Sequence, residues 1–186
     1  MNMTTFFIIH GAYGNPQENW IPWLKRALEK EGHTVFVPTF PTPEHQSLKS
    51  WLEVFQPYQR KLREDSIVIG HSIAPAFLLT ILEKIPKPIK AAFFIAPFIT
   101  PIGNPAFDTI NQTFYRKFKW KQIRQNCTQF YLFHSDNDPY VPLEKAEEVA
   151  KYLGVMVIIV KGAGHFNEKA GYTQFELLLK TILKEL

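Results

Sequence analysis

Six short apolar segments, separated by longer segments with helical periodicity, constrain the fold of this chain more than any other feature. Most of the six show little alternation of polar and apolar residues, which is typical of strands buried on both faces of a parallel sheet. They are FFIIH (6–10), TVFVPT (34–39), SIVIG (66–70), AAFFIA (91–96), QFYLFH (129–134) and VMVIIV (155–160). The segments with helical spacing are 16–32, 47–62, 74–85, 143–154 and 172–186, with a kink or break expected at Pro57. This order predicts an α/β fold: a single domain over residues 1–186 with a doubly wound, mainly parallel sheet of about six strands.

The bulk composition argues against several classes of protein. A length of 186 residues, 46% of them apolar, suits one globular domain with a sizeable core. The net charge of +4 is mild, and the densest basic stretch, 115–124, is most simply a solvated helix face with buried aromatic residues. We therefore expect no nucleic-acid partner. No apolar stretch approaches the ~20 residues of a membrane helix, so we expect no membrane partner either.

The first residues and the cysteine content bear on localisation. The opening MNMTTFFIIHGAYG has no basic region and only a short apolar run, unlike a signal peptide. Cys127 is the only cysteine, so the chain cannot form an internal disulfide. Both observations favour a cytoplasmic protein in a reducing compartment.

The stretch SIVIGHSIAPAF (66–77) places Ser72 where a strand turns into a helix. A serine there either caps the helix or acts as a nucleophile. The sequence GHSIA is close to the G-x-S-x-G nucleophile elbow, in which a strained turn requires small residues two positions either side of the serine. Gly70 meets that requirement, Ala74 replaces the second glycine with another small residue, and Pro75 falls in the first helical turn, where a missing N–H matters little.

Two further groups fall at the ends of later strands, and together with Ser72 they follow the chain order Ser, Asp, His of α/β-hydrolases. Asp138 in DPYVP (138–142) fits the D-x-x-V-P frame of a catalytic acid, whereas Asp136 does not. His165 in GAGHFN follows the last strand and is the expected base. Taken singly, each residue could belong to a cap, a turn or a loop, but their joint order predicts a catalytic site.

The sequence also suggests how the rest of such a site is built. The backbone amides of Ala12, after the first strand, and of Ile73, directly after the serine, are the expected oxyanion donors. Aromatic residues near the strand ends are expected to wall the substrate pocket, with core packing as the alternative for each; they are Tyr13, Phe98, Tyr140 and Phe166. The irregular segment 97–128 is expected to be functional or partly helical, and part of it to fold over the pocket.

No metal or other cofactor is expected. His71, next to the serine, is expected to pack structurally in the elbow, and His134 comes too early in the chain to be the base. The histidine spacings match no H-E-x-x-H pattern, and there is no cysteine cluster.

The chain resembles the small α/β-hydrolases of the retinoblastoma-binding protein 9 family, also called YdeN-like serine hydrolases. The resemblance covers nearly the whole chain and rests on HGAYGN, IVIGHSIA, FYRKFKWKQIRQNC, HSDNDPYVP and GAGHFN. It implies an α/β-hydrolase fold with a minimal lid and a triad of Ser72, Asp138 and His165. The family's elbow more often reads G-H-S-x-G, so Ala74 and Pro75 are departures. Since Cys127 lies in QNCTQ, the retinoblastoma-binding L-x-C-x-E motif is absent, and that partner is not expected.

The expected function is hydrolysis of a small-molecule substrate, a small carboxylic ester or an amide-like acyl compound, through an acyl-enzyme on Ser72. The alternative is a catalytically weak protein-binding module on a hydrolase scaffold, because a fold does not by itself imply activity. A thioesterase, a lactonase or an acyltransferase with the same nucleophile elbow is a third possibility, which the sequence alone does not separate from an esterase.

Overall fold

The architecture is a parallel β-sheet covered by helices, seen in a computed structural model that describes residues 3–186. The strands are β1 (Thr5–Ile9), β2 (Thr34–Phe36), β3 (Ile67–His71), β4 (Ile89–Ile95), β5 (Cys127–Ser135) and β6 (Val157–Val160). The helices are α1 (Ile21–Lys30), α2 (Leu48–Gln59), α3 (Ala74–Leu82), α4 (Pro105–Asn111), α5 (Trp120–Gln125), α6 (Leu143–Leu153) and α7 (Glu176–Leu183). The predicted six-stranded α/β sheet is confirmed, and every pairing between neighbouring strands is parallel.

The strand order, β2-β1-β3-β4-β5-β6, reverses direction between β1 and β3. From β1 the chain moves outward to β2, and from β3 it moves outward to β6 on the other side. Ligands of open parallel sheets bind outside the carboxyl ends of the strands at such a switch point. The loop that begins at His10 and the turn at Ser72 therefore lie together at the centre of that edge.

Both faces of the sheet are buried, which explains why the strands lack polar alternation. Phe6 and Ile8 pack on the face covered by α1 and α7, whereas Phe7 and Ile9 pack on the face covered by α2, α3, α5 and α6. Every residue of α3 is buried, so the helix that follows Ser72 is held in the interior of the protein. A helix packed in this way provides a rigid base for the turn that precedes it.

Helix α2 contains Pro57, the residue at which the sequence predicts a kink or a break. It runs through Pro57 and ends at Gln59, so the proline neither breaks the helix nor ends it at once. Proline lies in the last turn, where few further backbone hydrogen bonds depend on it. Trp51 and Phe55 bury the helix against the sheet and favour its continuation.

The segment 97–128 is partly helical, as expected, since it contains α4, a short 3₁₀ turn over Gln112–Phe114, and α5. Asn104 caps α4 by accepting hydrogen bonds from the amides of Ala106 and Phe107. The Asp108 carboxylate accepts hydrogen bonds from the amides of Ile102 and Gly103, at 2.8 and 3.0 Å, which ties the preceding loop to α4.

None of the helices described over residues 3–186 is long and apolar enough to cross a membrane.

Candidate active site

Ser72 lies in a strained turn between β3 and α3, with a backbone φ of +64°. A β-carbon at Gly70 would lie 2.8 Å from Leu78 Cδ1 and 3.1 Å from the Pro75 nitrogen, so this position needs glycine. Ala74 is instead the first residue of α3, where helical backbone accepts a methyl group. The replacement of the motif's second glycine by alanine is therefore compatible with the elbow.

The loop after β1 lies directly against the Ser72 side chain. A β-carbon at Gly11 would be 2.8 Å from Ser72 Cβ and 3.4 Å from its Oγ. His10 holds this loop, because its Nδ1–H donates to the Gly11 carbonyl at 2.9 Å and its Nε2 accepts from the Phe40 amide at 3.0 Å. Burial lowers the pKa of His10, which keeps this arrangement in the neutral form.

His165 and Asp138 form a buried pair. The His165 Nδ1–H donates to Asp138 Oδ2 at 2.7 Å, and the two side chains are 11% and 1% exposed. The other carboxylate oxygen, Oδ1, accepts from the amides of Tyr140 and Val141 at 2.9 and 3.0 Å. Burial alone would raise the pKa of Asp138, but the hydrogen bond from His165 and the two amides outweigh it, and the pKa is lowered. Asp138 is thus held as the carboxylate that orients the imidazole.

The three residues before Asp138 hold the loop that carries His165. Three consecutive amides of that loop donate to these three side chains: Gly162 to Asp136 Oδ1 at 2.8 Å, Ala163 to Ser135 Oγ at 2.9 Å, and Gly164 to Asn137 Oδ1 at 2.8 Å. The Ser135 hydroxyl in turn donates to Asn137 Oδ1 at 2.6 Å. We call Ser135, Asp136 and Asn137 the loop clamp. Asp136 therefore holds the backbone of the loop at Gly162, whereas Asp138 holds the imidazole of His165.

His71 links the elbow to the same loop. Its Nε2–H donates to the backbone carbonyl of His165 at 2.8 Å, and the two rings lie 4.7 Å apart. Burial, together with the nearby His165, lowers the pKa of His71 to about 3. His71 therefore stays neutral near pH 7, so it acts as a fixed donor, in keeping with the structural role expected for it.

A cavity of about 480 Å³ opens where these loops meet, and Ser72 and His165 both line it. Tyr13, Phe98 and Tyr140 line it as well, together with Ile102, Phe107 and Asn111 from the segment before and within α4. Phe166 does not: its side chain is fully buried and stacks on Phe175 in the core. Its expected place in the pocket wall is therefore corrected to a place in the core.

Aromatic rings form a continuous row across the cavity. Tyr13 contacts Phe107 edge to face, Phe107 contacts Tyr140, and Tyr140 contacts His165, with ring centres 5.7, 5.8 and 5.2 Å apart. Phe107, on α4, thereby connects the loop after β1, through Tyr140, with His165. Part of the segment 97–128 lies over the site, as expected.

Comparison with known proteins agrees with this geometry. The family model described as Serine hydrolase matches residues 6–184. This chain belongs to the serine hydrolase family. It is 24% identical to the Bacillus subtilis (strain 168) protein YdeN, over 92% of this chain and 90% of that protein. It is also 24% identical to the serine hydrolase RBBP9 of Rattus norvegicus, over 88% of this chain and 84% of that protein. The resemblance stated from the motifs is confirmed.

Solved structures give the same fold for this serine hydrolase. The crystal structure of the Bacillus subtilis ydeN gene product superposes with a TM-score of 0.92 at 22% identity, over 98% of each chain. Est1E from Butyrivibrio proteoclasticus superposes with a TM-score of 0.73 at 16% identity, over 98% of this chain and 88% of its own. The expected α/β-hydrolase fold is confirmed.

Three groups near the elbow have no hydrogen-bond partner among residues 3–186. The amides of Ala12 and Ile73 make no hydrogen bond to the residues that the structure describes, and neither does the Ser72 hydroxyl. Ala12 lines the cavity beside Ser72. The Ala12 amide and the Ser72 hydroxyl are therefore available to a substrate in the cavity, whereas Ile73 is fully buried and is not among the residues that line it.

His134 lies near the site but does not line the cavity. His134 is fully buried, and its Nδ1–H donates to the Ser135 carbonyl at 2.9 Å. Within residues 3–186, no group of three or more His, Cys, Asp or Glu side chains has the arrangement of a metal site.

The sequence interpretation missed the loop clamp and two wall residues, Phe107 and Asn111. The run SDND was a usable signal for the clamp, since consecutive short polar side chains at a strand end readily accept backbone hydrogen bonds. Phe107 and Asn111 lie on a short helix inside an irregular segment and had no such signal.

Proposed function

We propose that this serine hydrolase cleaves small carboxylic esters through an acyl-enzyme formed on Ser72. The observation that carries the proposal is the buried Asp138–His165 hydrogen bond of 2.7 Å in a cavity that also contains Ser72 in an elbow conformation. A nucleophile, a base and an oriented acid around one cavity support acyl transfer.

In the proposed first step, the Ser72 Oγ attacks the ester carbonyl carbon while His165 Nε2 takes the hydroxyl proton. The carbonyl oxygen becomes an oxyanion that accepts hydrogen bonds from the amides of Ala12 and Ile73, and each such donor typically contributes about 3 kcal/mol. The C–O bond to the leaving alcohol then breaks, and His165 returns the proton to that oxygen. Asp138 stabilises the imidazolium throughout.

The second step repeats this chemistry with water. His165 Nε2 takes a proton from water, whose oxygen attacks the acyl carbon, and the new tetrahedral intermediate releases Ser72 Oγ. The proton returns to Ser72, and the acid product leaves. No cofactor takes part in either step.

The cavity walls support a small, largely apolar acyl group. Phe98, Ile102 and Phe107 form an apolar wall beside Ser72, and a volume of about 480 Å³ suits a small molecule. We infer that the acyl chain lies along this wall and that esters are preferred over amides.

The test is intact-mass spectrometry after treatment with a fluorophosphonate, combined with hydrolysis of p-nitrophenyl butyrate. Wild-type protein should gain one adduct and hydrolyse the ester, whereas Ser72→Ala should do neither while keeping the same circular dichroism spectrum. Asp138→Asn should lower kcat by about 10³- to 10⁴-fold, because the imidazole then adopts the wrong tautomer. Equal adduct formation by wild type and Ser72→Ala would refute the proposal.

One observation favours a second candidate, a binding module with little catalysis. In the described part of the chain the Ser72 hydroxyl makes no hydrogen bond to His165. Catalytic hydrogen bonds often tighten only when substrate binds, so we prefer the enzyme. Absence of both adduct and hydrolysis in a correctly folded wild type would favour the binding module.

A further inference from the structure

Asn111 is a buried polar residue in an otherwise apolar wall of the cavity. It ends α4, one turn after Phe107 on the same helix face, and is 1% exposed. Its Oδ1 accepts a hydrogen bond from Gln46 Nε2 at 2.7 Å, but its Nδ2 donates to none of residues 3–186. The ring nitrogens of Trp20 and His134 also lack a partner, but they are completely enclosed by protein. Asn111 Nδ2 is not among the enclosed atoms, and Asn111 lines the cavity.

The orientation of the Asn111 amide follows from the Ile110 carbonyl, which lies 3.3 Å from an amide atom of Gln46. A carbonyl oxygen can only accept, so this atom of Gln46 is Nε2, and it also donates to Asn111. The Thr42 hydroxyl, which accepts from the Tyr13 amide at 2.6 Å, then donates to Gln46 Oε1. Because Gln46 Nε2 can only donate, the atom of Asn111 that faces it is the oxygen. The Asn111 NH₂ group therefore remains available to donate a hydrogen bond to a molecule in the cavity.

A donor without a protein partner in a cavity wall can form a hydrogen bond with a ligand acceptor in place of water. The charges around the cavity indicate which acceptor. Glu18, Glu168 and Lys169 line it, so carboxylates outnumber the ammonium group and an anionic ligand is disfavoured. Phe107, beside Asn111, favours an apolar chain.

We propose that Asn111 Nδ2 is a recognition donor for an uncharged carbonyl oxygen in the acyl chain of the substrate. The substrate class is therefore an ester whose acyl group carries a second carbonyl, such as an oxo-acyl ester, with its carbon chain against Phe107. This proposal rests on the proposed function, because it assigns the apolar wall to the acyl group. It adds a specificity-determining residue that acts by hydrogen bonding rather than by shape.

The test compares p-nitrophenyl 4-, 5- and 6-oxoheptanoate with p-nitrophenyl heptanoate. In wild type, at least one oxo ester should have a kcat/KM about tenfold above that of heptanoate, the value expected for one buried hydrogen bond. Asn111→Asp is the matched variant, because its carboxylate still accepts from Gln46 but cannot donate to a ketone. The ratio of oxo ester to heptanoate should fall to one or below in this variant. Asn111→Leu, which removes both functions, should also abolish the preference.

Two results would overturn the proposal: a ratio near one for all three oxo esters in wild type, or a preference that persists in Asn111→Asp. If wild type hydrolyses no ester at all, the proposed function fails, and a binding measurement decides the present proposal separately. For this measurement, Ser72→Ala labelled with ¹⁵N is titrated with each ester, and the Asn111 side-chain NH₂ resonance is followed. A shift with an oxo ester but not with heptanoate supports the proposal, and no shift with any oxo ester refutes it.

Discussion

The side chain of His71 donates a hydrogen bond from Nε2 to the backbone carbonyl of His165, at 2.8 Å. The residue next to the nucleophile therefore holds the residue proposed as the base. This link joins the elbow to the loop after β6 by a hydrogen bond within the protein. It makes the relative position of Ser72 and His165 a property of the scaffold rather than of the bound substrate.

Removing this link should lower kcat. We expect His71→Leu to reduce kcat by about tenfold to hundredfold, because a displacement of the base by about 1 Å has effects of that size, and to leave KM within about twofold. His71→Gln can place its amide nitrogen near the position of Nε2, so it should recover most of the loss. Steady-state kinetics with p-nitrophenyl butyrate distinguishes these cases. Equal losses in both variants would contradict a role for the donor.

His71 should also make the fold sensitive to acid. Its pKa in the folded protein, about 3, lies below the ordinary 6.5, so between these pH values only the unfolded chain takes up a proton there. The free energy of unfolding therefore falls as the pH is lowered from about 6.5 towards 3, by roughly 1.4 kcal/mol per pH unit from this residue. Urea unfolding of His71→Gln should show a shallower decline than wild type. Parallel curves would contradict the assignment, since the other buried histidines are common to both proteins.

The loop clamp should be needed for catalysis even though it does not touch the imidazole. Asn137→Ala removes the acceptor for the Gly164 amide and for the Ser135 hydroxyl. We expect kcat to fall by about tenfold or more and amide hydrogen exchange at 162–164 to accelerate. Asn137→Asp keeps an oxygen at the same position and should retain most of the activity. The clamp would be dispensable if Asn137→Ala kept both its activity and its exchange protection.

Gly11 should tolerate no side chain. An alanine there would place its β-carbon 2.8 Å from Ser72 Cβ and 3.3 Å from the His71 carbonyl oxygen. We expect Gly11→Ala to lower kcat/KM by about a hundredfold, because either the serine or the oxyanion loop must move. Gly32→Ala is a suitable control, because Gly32 has a φ of +85° with no atom within 4 Å of an added β-carbon. That variant should lose about 1 kcal/mol of stability and keep its activity.

The sequence predicted the sheet because its strands are buried on both faces and have no polar alternation. It also predicted which residues lie at the strand ends, since Ser72, Asp138 and His165 each follow an apolar run. The sequence did not show that Phe166 packs in the core whereas Tyr140 lines the cavity, because the direction of an aromatic ring in a loop depends on tertiary packing. The place of Asn111 in the cavity wall could not be predicted either, because it depends on a contact with Gln46, which is 65 positions away in the chain.

The proposed reacting groups and much of the cavity wall come from different parts of the chain. The proposed triad and the proposed oxyanion amides lie outside residues 97–128. Phe98, Ile102, Phe107 and Asn111 of the cavity wall lie inside this segment, whereas Tyr13 and Tyr140 do not. Within this segment, the cap at Asn104 and the hydrogen bonds to Asp108 hold α4 and the loop before it without using the proposed reacting groups. Exchanging this segment for that of a relative should therefore change the part of the substrate preference that depends on Phe98, Ile102, Phe107 and Asn111, and leave Tyr13, Tyr140 and the proposed reacting residues as they are.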